Sequence, residues 1–209
     1  MALLGFFRRT PPIRTVKDLA DFIDEQAAFL MQKGIFEYSR ARAGPYANSM
    51  LSEPDFQKSV EESRWKAYPL GLAMVGEMVE GVLRPHVGDD QKERRALHDE
   101  FIDLVLSVFD RYPVPPQIGE EVWRDARSAL ALKLDQVSTH PPKRAIDIPE
   151  QYAKRYFEMM PIHEDMRSDD EGTTLSFLKL NLVHSQQELI KRMDVASMVA
   201  QLRQAESSG

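Results

Sequence analysis

Apolar residues recur at three- and four-residue intervals along nearly the whole chain, and glycines, prolines and capping residues cut the pattern into lengths normal for helices. The spacing therefore predicts an all-α, single-domain helical bundle of about seven to eight helices. Thr15 followed by Asp18 has the form of an N-cap with an acidic third residue. Val16, Leu19, Ile23, Ala27 and Leu30 then share one face as far as Lys33, and Gly34 suits a stop. A short helix over 35–42 ends at Ala43, Gly44 and Pro45, and Ser52 can cap the next helix with Pro54 in its first turn.

From residue 54 to residue 83 the apolar pattern is unusually long. Pro69 lies inside it, removes one backbone hydrogen bond and predicts a kink or break near Tyr68. Beyond that point Leu70, Met74, Val75, Met78, Val79, Val82 and Leu83 form a broad apolar face. Glu77, Glu80 and Arg84 fall opposite and read as a solvated stripe in which Glu80 pairs with Arg84. Gly71, Gly76 and Gly81 recur every five residues, and close approach of another helix would account for one or two of them.

Asp89 and Asp90 can cap a helix reaching Arg111 on Leu97, Phe101, Leu104, Val105 and Val108. The turn 112–117, with prolines at 113, 115 and 116, ends it. This is the clearest linker, but it is short, and the helices on both sides need partners for their apolar faces. A helix over 119–137 follows, closed by Pro141 and Pro142. Pro149 opens a shorter one in which Tyr152, Tyr156, Met159 and Met160 share a face and Glu150 can pair with Lys154. Thr173 or Thr174 caps a helix to about Arg192, and Asp194 starts a final set of turns on Val195, Met198, Val199 and Leu202. Leu178, Leu180 and Leu182 alternate as a strand would, yet Leu175, Leu178, Leu182, Leu189 and Met193 align on a helix, which is preferred. The helical domain is expected to span 15–204, between a mobile or peripheral segment 1–14 and a disordered tail 205–209.

Composition narrows the chemistry. Cysteine is absent, which removes disulfides, thiolate metal sites and cysteine nucleophiles. The net charge of −6 divides unevenly at Gly44: residues 1–44 hold 7 Lys/Arg against 5 Asp/Glu, and the rest hold 20 against 28. An acidic body without a basic stripe makes nucleic-acid binding unlikely. No apolar stretch reaches the roughly 20 residues of a membrane span. Leu3, Leu4, Phe6 and Phe7 precede Arg8 and Arg9, the reverse of a secretory signal. A cytoplasmic protein is expected. The opening segment reads either as a membrane-peripheral foot or as a tail that packs on its own domain or a partner, and four apolar residues alone bind lipid only weakly.

No motif identifies a reaction. Walker loops, dinucleotide fingerprints, nucleophile elbows and His-Glu-x-x-His are all missing, and no cofactor or metal site is implied. The acids from Asp165 to Gly172 lack the alternation of a calcium loop and are expected to keep a loop solvated and place negative charge before a helix N-terminus. Among the histidines, His98 reads as a satisfied boundary residue. His184 shares its side of a helix with Phe177 and Leu180, which predicts central burial, either as a titrating or ligand-binding group or as a donor to a backbone carbonyl. His163, beside Glu164 and Asp165 and just past Tyr152 and Tyr156, gathers imidazole, carboxylate and phenol within a short stretch.

Two functions fit. The first is a non-catalytic helical interaction protein, an adaptor or assembly factor that binds a protein partner or itself, helped by the basic apolar opening segment. Methionines grouped at Met74, Met78, Met159 and Met160 suit an adaptable surface, though equally a core. The second is a helical small-molecule-binding protein or enzyme with an apolar pocket between helices, its polar groups drawn from Tyr152, Tyr156, His163 or His184. A homodimer through an apolar helix face is one form the first would take.

Overall fold

The structure is a computed structural model that describes residues 11–162 and 170–206. Among them are eight α-helices: α1 (Val16–Ala43), α2 (Ala47–Ser52), α3 (Pro54–Leu83), α4 (Gln91–Phe109), α5 (Glu120–Val137), α6 (Ala153–Glu158), α7 (Glu171–Arg192) and α8 (Val195–Glu206). The fold is all-α, and residues 178–183 are helical within α7. One contiguous apolar core runs from Ile13 to Leu202, crossing the proline-rich turn.

α3 is the axis of this core. Every residue from Gly71 to Glu80 is buried, because α1, α4, α5, α7 and α8 pack around the same stretch. Helices enclosed on all sides read as apolar all round, and two glycines let neighbours approach. A Cβ on Gly71 would lie 2.8 Å from the Ala27 carbonyl oxygen of α1, and one on Gly76 would lie 2.9 Å from Leu134 of α5. Pro69 does not end the helix, which continues through it to Leu83. Pro69 itself is partly exposed. Enclosure also overturns the solvated stripe: Glu77 and Glu80 are only 2% and 7% exposed. Met74, Met78 and Met160 are likewise core residues, so they offer nothing to a surface.

α1 corrects a second expectation. Gly34 does not stop the first helix, which continues to Ala43, with the break supplied by Gly44 at φ 52°. Its real use is close approach: the phenol of Tyr156 lies where a Gly34 side chain would be. The Thr15–Asp18 capping box forms as predicted, and Asp90 caps α4 through the Glu93 amide. Glu53, not Ser52, precedes α3. Asp170, not Thr173 or Thr174, precedes α7, placing acid at its first turn. Glu150 lies in a 3-10 turn over Ile148–Gln151, which spoils its four-residue register with Lys154, and it pairs with Lys179 of α7 at 2.7 Å instead.

The segment expected to be peripheral over 1–14 is partly structural. Ile13 is 2% exposed and donates its amide to the Arg192 carbonyl at 2.9 Å. The Arg192 guanidinium donates to the Pro11 carbonyl, and Gln201 to that of Arg14. Residues 11–14 are thus clamped at the α7–α8 junction, while Leu3, Leu4, Phe6, Phe7, Arg8 and Arg9 lie outside the described residues. At the other end α8 reaches Glu206, two residues into the expected tail.

Candidate functional site

The buried acids of α3 form two connected clusters. Glu77 receives hydrogen bonds from Gln151 (2.8 Å) and the Tyr152 hydroxyl (3.2 Å), and its other oxygen lies 3.0 Å from the Lys143 ammonium. Glu80 is gripped by Arg84 at 2.6 and 2.8 Å, and the same guanidinium donates to the carbonyls of His140 and Val137 at 2.6 and 2.7 Å. Those carbonyls lie at and beyond the end of α5, so Arg84 fastens the helix end and the following loop to α3. With every donor turned onto protein, these clusters are braces.

His98 of α4 sits beside them, corrected from boundary to core at 5% exposure. Its Nδ1 is 3.8 Å from Glu80, and neither ring nitrogen has a hydrogen-bond partner among the described residues. Burial pushes its pKa below the ordinary 6.5, and Arg95 and Arg84 act in the same direction; Glu80 and Asp99 oppose them. Below about pH 6.5 the unfolded chain therefore takes up a proton that the native state resists. Stability should fall as the pH drops from 7 toward 5, by at most about 1.4 kcal/mol per pH unit for this group. Urea titrations of wild type and His98→Phe should diverge over that window, with the variant showing the flatter profile; parallel profiles would count against it.

A third acid, Asp24 of α1, ties together α1, α3 and the turn after α4. Tyr68 donates to it at 2.7 Å and Tyr112 at 2.9 Å, while Arg111 bridges Asp21 (2.9 Å) and Asp24 (3.4 Å). Burial raises both phenol pKa values, which keeps them protonated as donors. Trp65 meets Tyr68, Tyr112 and Trp123 edge-on at 5.3–6.1 Å, and Phe109 stacks on Trp123 at 4.3 Å. A groove of about 190 Å³ opens over this column, between Ala28, Met31 and Gln32 of α1 and Arg64 and Trp65 of α3.

Next to that groove runs the outer face of α1, where Glu25, Phe29, Gln32, Phe36 and Arg40 are exposed at successive turns. Phe29 and Phe36 are 45% and 43% exposed. The Lys33 ammonium lies 5.0 Å from the Phe29 ring centroid and 5.9 Å from that of Phe177 on α7. Leu180, 72% exposed, follows Phe177 by three residues and the exposed His184 by seven. His184 is therefore not central: the Phe177, Leu180 and His184 side of α7 faces outward, and the Leu178, Leu182 and Leu189 side fills the core.

Tyr152 and Tyr156, the other expected site residues, are 4% and 0% exposed and do not converge on one pocket. Tyr152 turns to Glu77, whereas Tyr156 donates to the Met31 carbonyl at 2.7 Å. His163 lies outside the described residues. No group of three or more acids and histidines placed to hold a metal ion occurs among the described residues. The spacing of Phe29 and Phe36, seven apart and off the Leu19–Ile23–Ala27 face, is the signal that would have found the α1 surface. Comparison with family models, curated proteins and solved structures finds no match to the chain.

Proposed function

We propose that this chain is a non-catalytic helical interaction protein, an adaptor or assembly factor, that docks a protein partner on the outer face of α1 and α7. The observation carrying this reading is that Lys33 lies over the rings of Phe29 on α1 and Phe177 on α7, with exposed Phe36 and Leu180 on the same two helices. Single exposed apolar side chains are ordinary, but clustered ones mark contact surfaces. Lys33 has no acidic partner among the described residues and meets only ring faces, so a partner carboxylate amid apolar side chains would complement it.

Phe29→Glu combined with Leu180→Glu tests this. Both positions are exposed, so each substitution should change stability by no more than about 0.5 kcal/mol. Capture of the partner from the native source should fall at least roughly tenfold, and equal recovery by wild type and variant would end the proposal. If the partner is a second copy, light scattering should report a dimer for wild type and a monomer for the variant.

Residues 1–10 supply the second arm of the reading, a basic apolar segment that assists docking at a partner or a membrane surface. No helix among the described residues is long and apolar enough to cross a membrane. Deleting residues 1–10 should weaken partner or liposome binding with the melting temperature unchanged. Deleting 1–14 removes Ile13 from the core and its clamp on Arg192, and should cost about 2–3 kcal/mol. Thermal melts of the two truncations separate the roles; equal melting temperatures would show that the clamp contributes nothing.

A further inference from the structure

A second concavity, on helices other than α1 and α7, is built unlike the rest of this acidic protein. It holds about 240 Å³ between α3, α5 and the segment 151–155. Its floor is apolar: Pro69, Leu70 and Ala73 come from α3, and Ala126, Ala129 and Leu130 from α5. Two alanines of α5 and the partly exposed Pro69 of α3 are among its lining residues. Its rim carries three cations, Lys66, Lys133 and Arg155, and no carboxylate lines it among the described residues.

The cations are not equally occupied. Lys66 pairs with Glu62 at 2.5 Å, one turn earlier on α3 and outside the groove. Lys133 donates to the neutral Gln151 amide oxygen at 2.6 Å and lies 5.4 Å from the Tyr152 ring centroid. Arg155, exposed on α6, has no ion-pair or hydrogen-bond partner among the described residues. Behind the rim Glu77 is already held by Lys143, Gln151 and Tyr152, so it does not neutralise Lys133 and Arg155 directly. In a chain of net charge −6, two cations without acidic partners over an apolar floor are matched to a small amphipathic anion.

We propose that this groove binds a short amphipathic carboxylate, its hydrocarbon on Pro69, Leu70, Ala73 and Ala126 and its carboxylate held by Lys133 and Arg155. A guanidinium offers a carboxylate two parallel donors, and the ammonium adds a second charge-assisted contact. The volume equals that of roughly eight liquid waters, which suits a medium-length acyl chain or a single aryl ring. The site is independent of the α1–α7 partner face, and either can fail without the other.

Octanoate is the probe, titrated by calorimetry and by amide shifts in the full chain. It should bind saturably with a dissociation constant of order 0.1–1 mM, with shifts centred on residues 66–73 and 126–133. Butyrate, with a hydrocarbon too short to cover the apolar floor, and octyltrimethylammonium, with the opposite charge, should not saturate. Lys133→Gln with Arg155→Gln should weaken octanoate roughly tenfold. Ala129→Trp, at an exposed position, should abolish binding by filling the groove; an unchanged far-ultraviolet spectrum establishes that each variant folds. The proposal is overturned if octanoate fails to saturate, if octyltrimethylammonium binds equally well, if the shifts map elsewhere, or if folded variants bind as wild type does.

Discussion

Arg84→Met is expected to lower the unfolding free energy by about 3–5 kcal/mol, the cost of breaking a buried ion pair from one side. The guanidinium is 19% exposed and Glu80 9%, so water can do little to replace the lost partner. Two further acceptors, the Val137 and His140 carbonyls, lose their donor in the same step. In thermal terms the loss is roughly 10 °C for a chain of this size. Arg84→Lys should recover only part of it, because one ammonium cannot reproduce a fork that serves a carboxylate and two carbonyls together. Adding Glu80→Met to Arg84→Met should restore much of the loss by removing the stranded charge. Equilibrium urea unfolding checks all three, and a loss below about 1 kcal/mol for Arg84→Met would mean that the brace is idle.

Gly34→Ala is expected to destabilise by about 2 kcal/mol, although alanine is the better helix former by about 1 kcal/mol. The added methyl collides with the Tyr156 hydroxyl and comes within 2.9 Å of Phe177. Phe177 is partly exposed and can turn aside; Tyr156 is fully buried and is held by its bond to the Met31 carbonyl. Strain of about 1–3 kcal/mol plus a weakened buried hydrogen bond therefore outweighs the propensity gain. Tyr156→Phe alone should cost about 1 kcal/mol. Placed on the Gly34→Ala background it should instead recover stability, since removing the oxygen opens the space that the methyl needs. That reversal of sign is the decisive measurement in the double-mutant cycle, and simple additivity would refute steric coupling.

Local rules made the helices legible, and enclosure made the errors. The Thr15–Asp18 box, the Asp90 cap, the prolines of the 112–117 turn and the leucine register of α7 are short-range signals, and each element forms where they place it. Glu77 and Glu80 defeat the pattern because a carboxylate on one helix stripe with an arginine looks the same on a surface as in a core. Only the encirclement of α3 decides between them. Gly34 had the same defect: a stop and a notch for a distant phenol share one residue type. His184 was drawn inward by Phe177 and Leu180, whereas those residues face outward with it and leave the α1–α7 face apolar. The groove over Pro69 was beyond sequence reasoning, since its walls come from residues 66–73, 126–133 and 151–155, which only the fold brings together.

The clamp between Ile13 and Arg192 also governs when the fold can close. Residue 13 leaves the ribosome well before residue 192, whose carbonyl receives its amide. At synthesis rates of about 5–20 residues per second the gap is on the order of 10–40 s. During that interval the apolar side of α1 can meet α3 and α4, while Ile13 and the faces awaiting α7 and α8 stay uncovered. The nascent chain therefore carries uncovered apolar surface throughout that interval, and closure at the α7–α8 junction ends it.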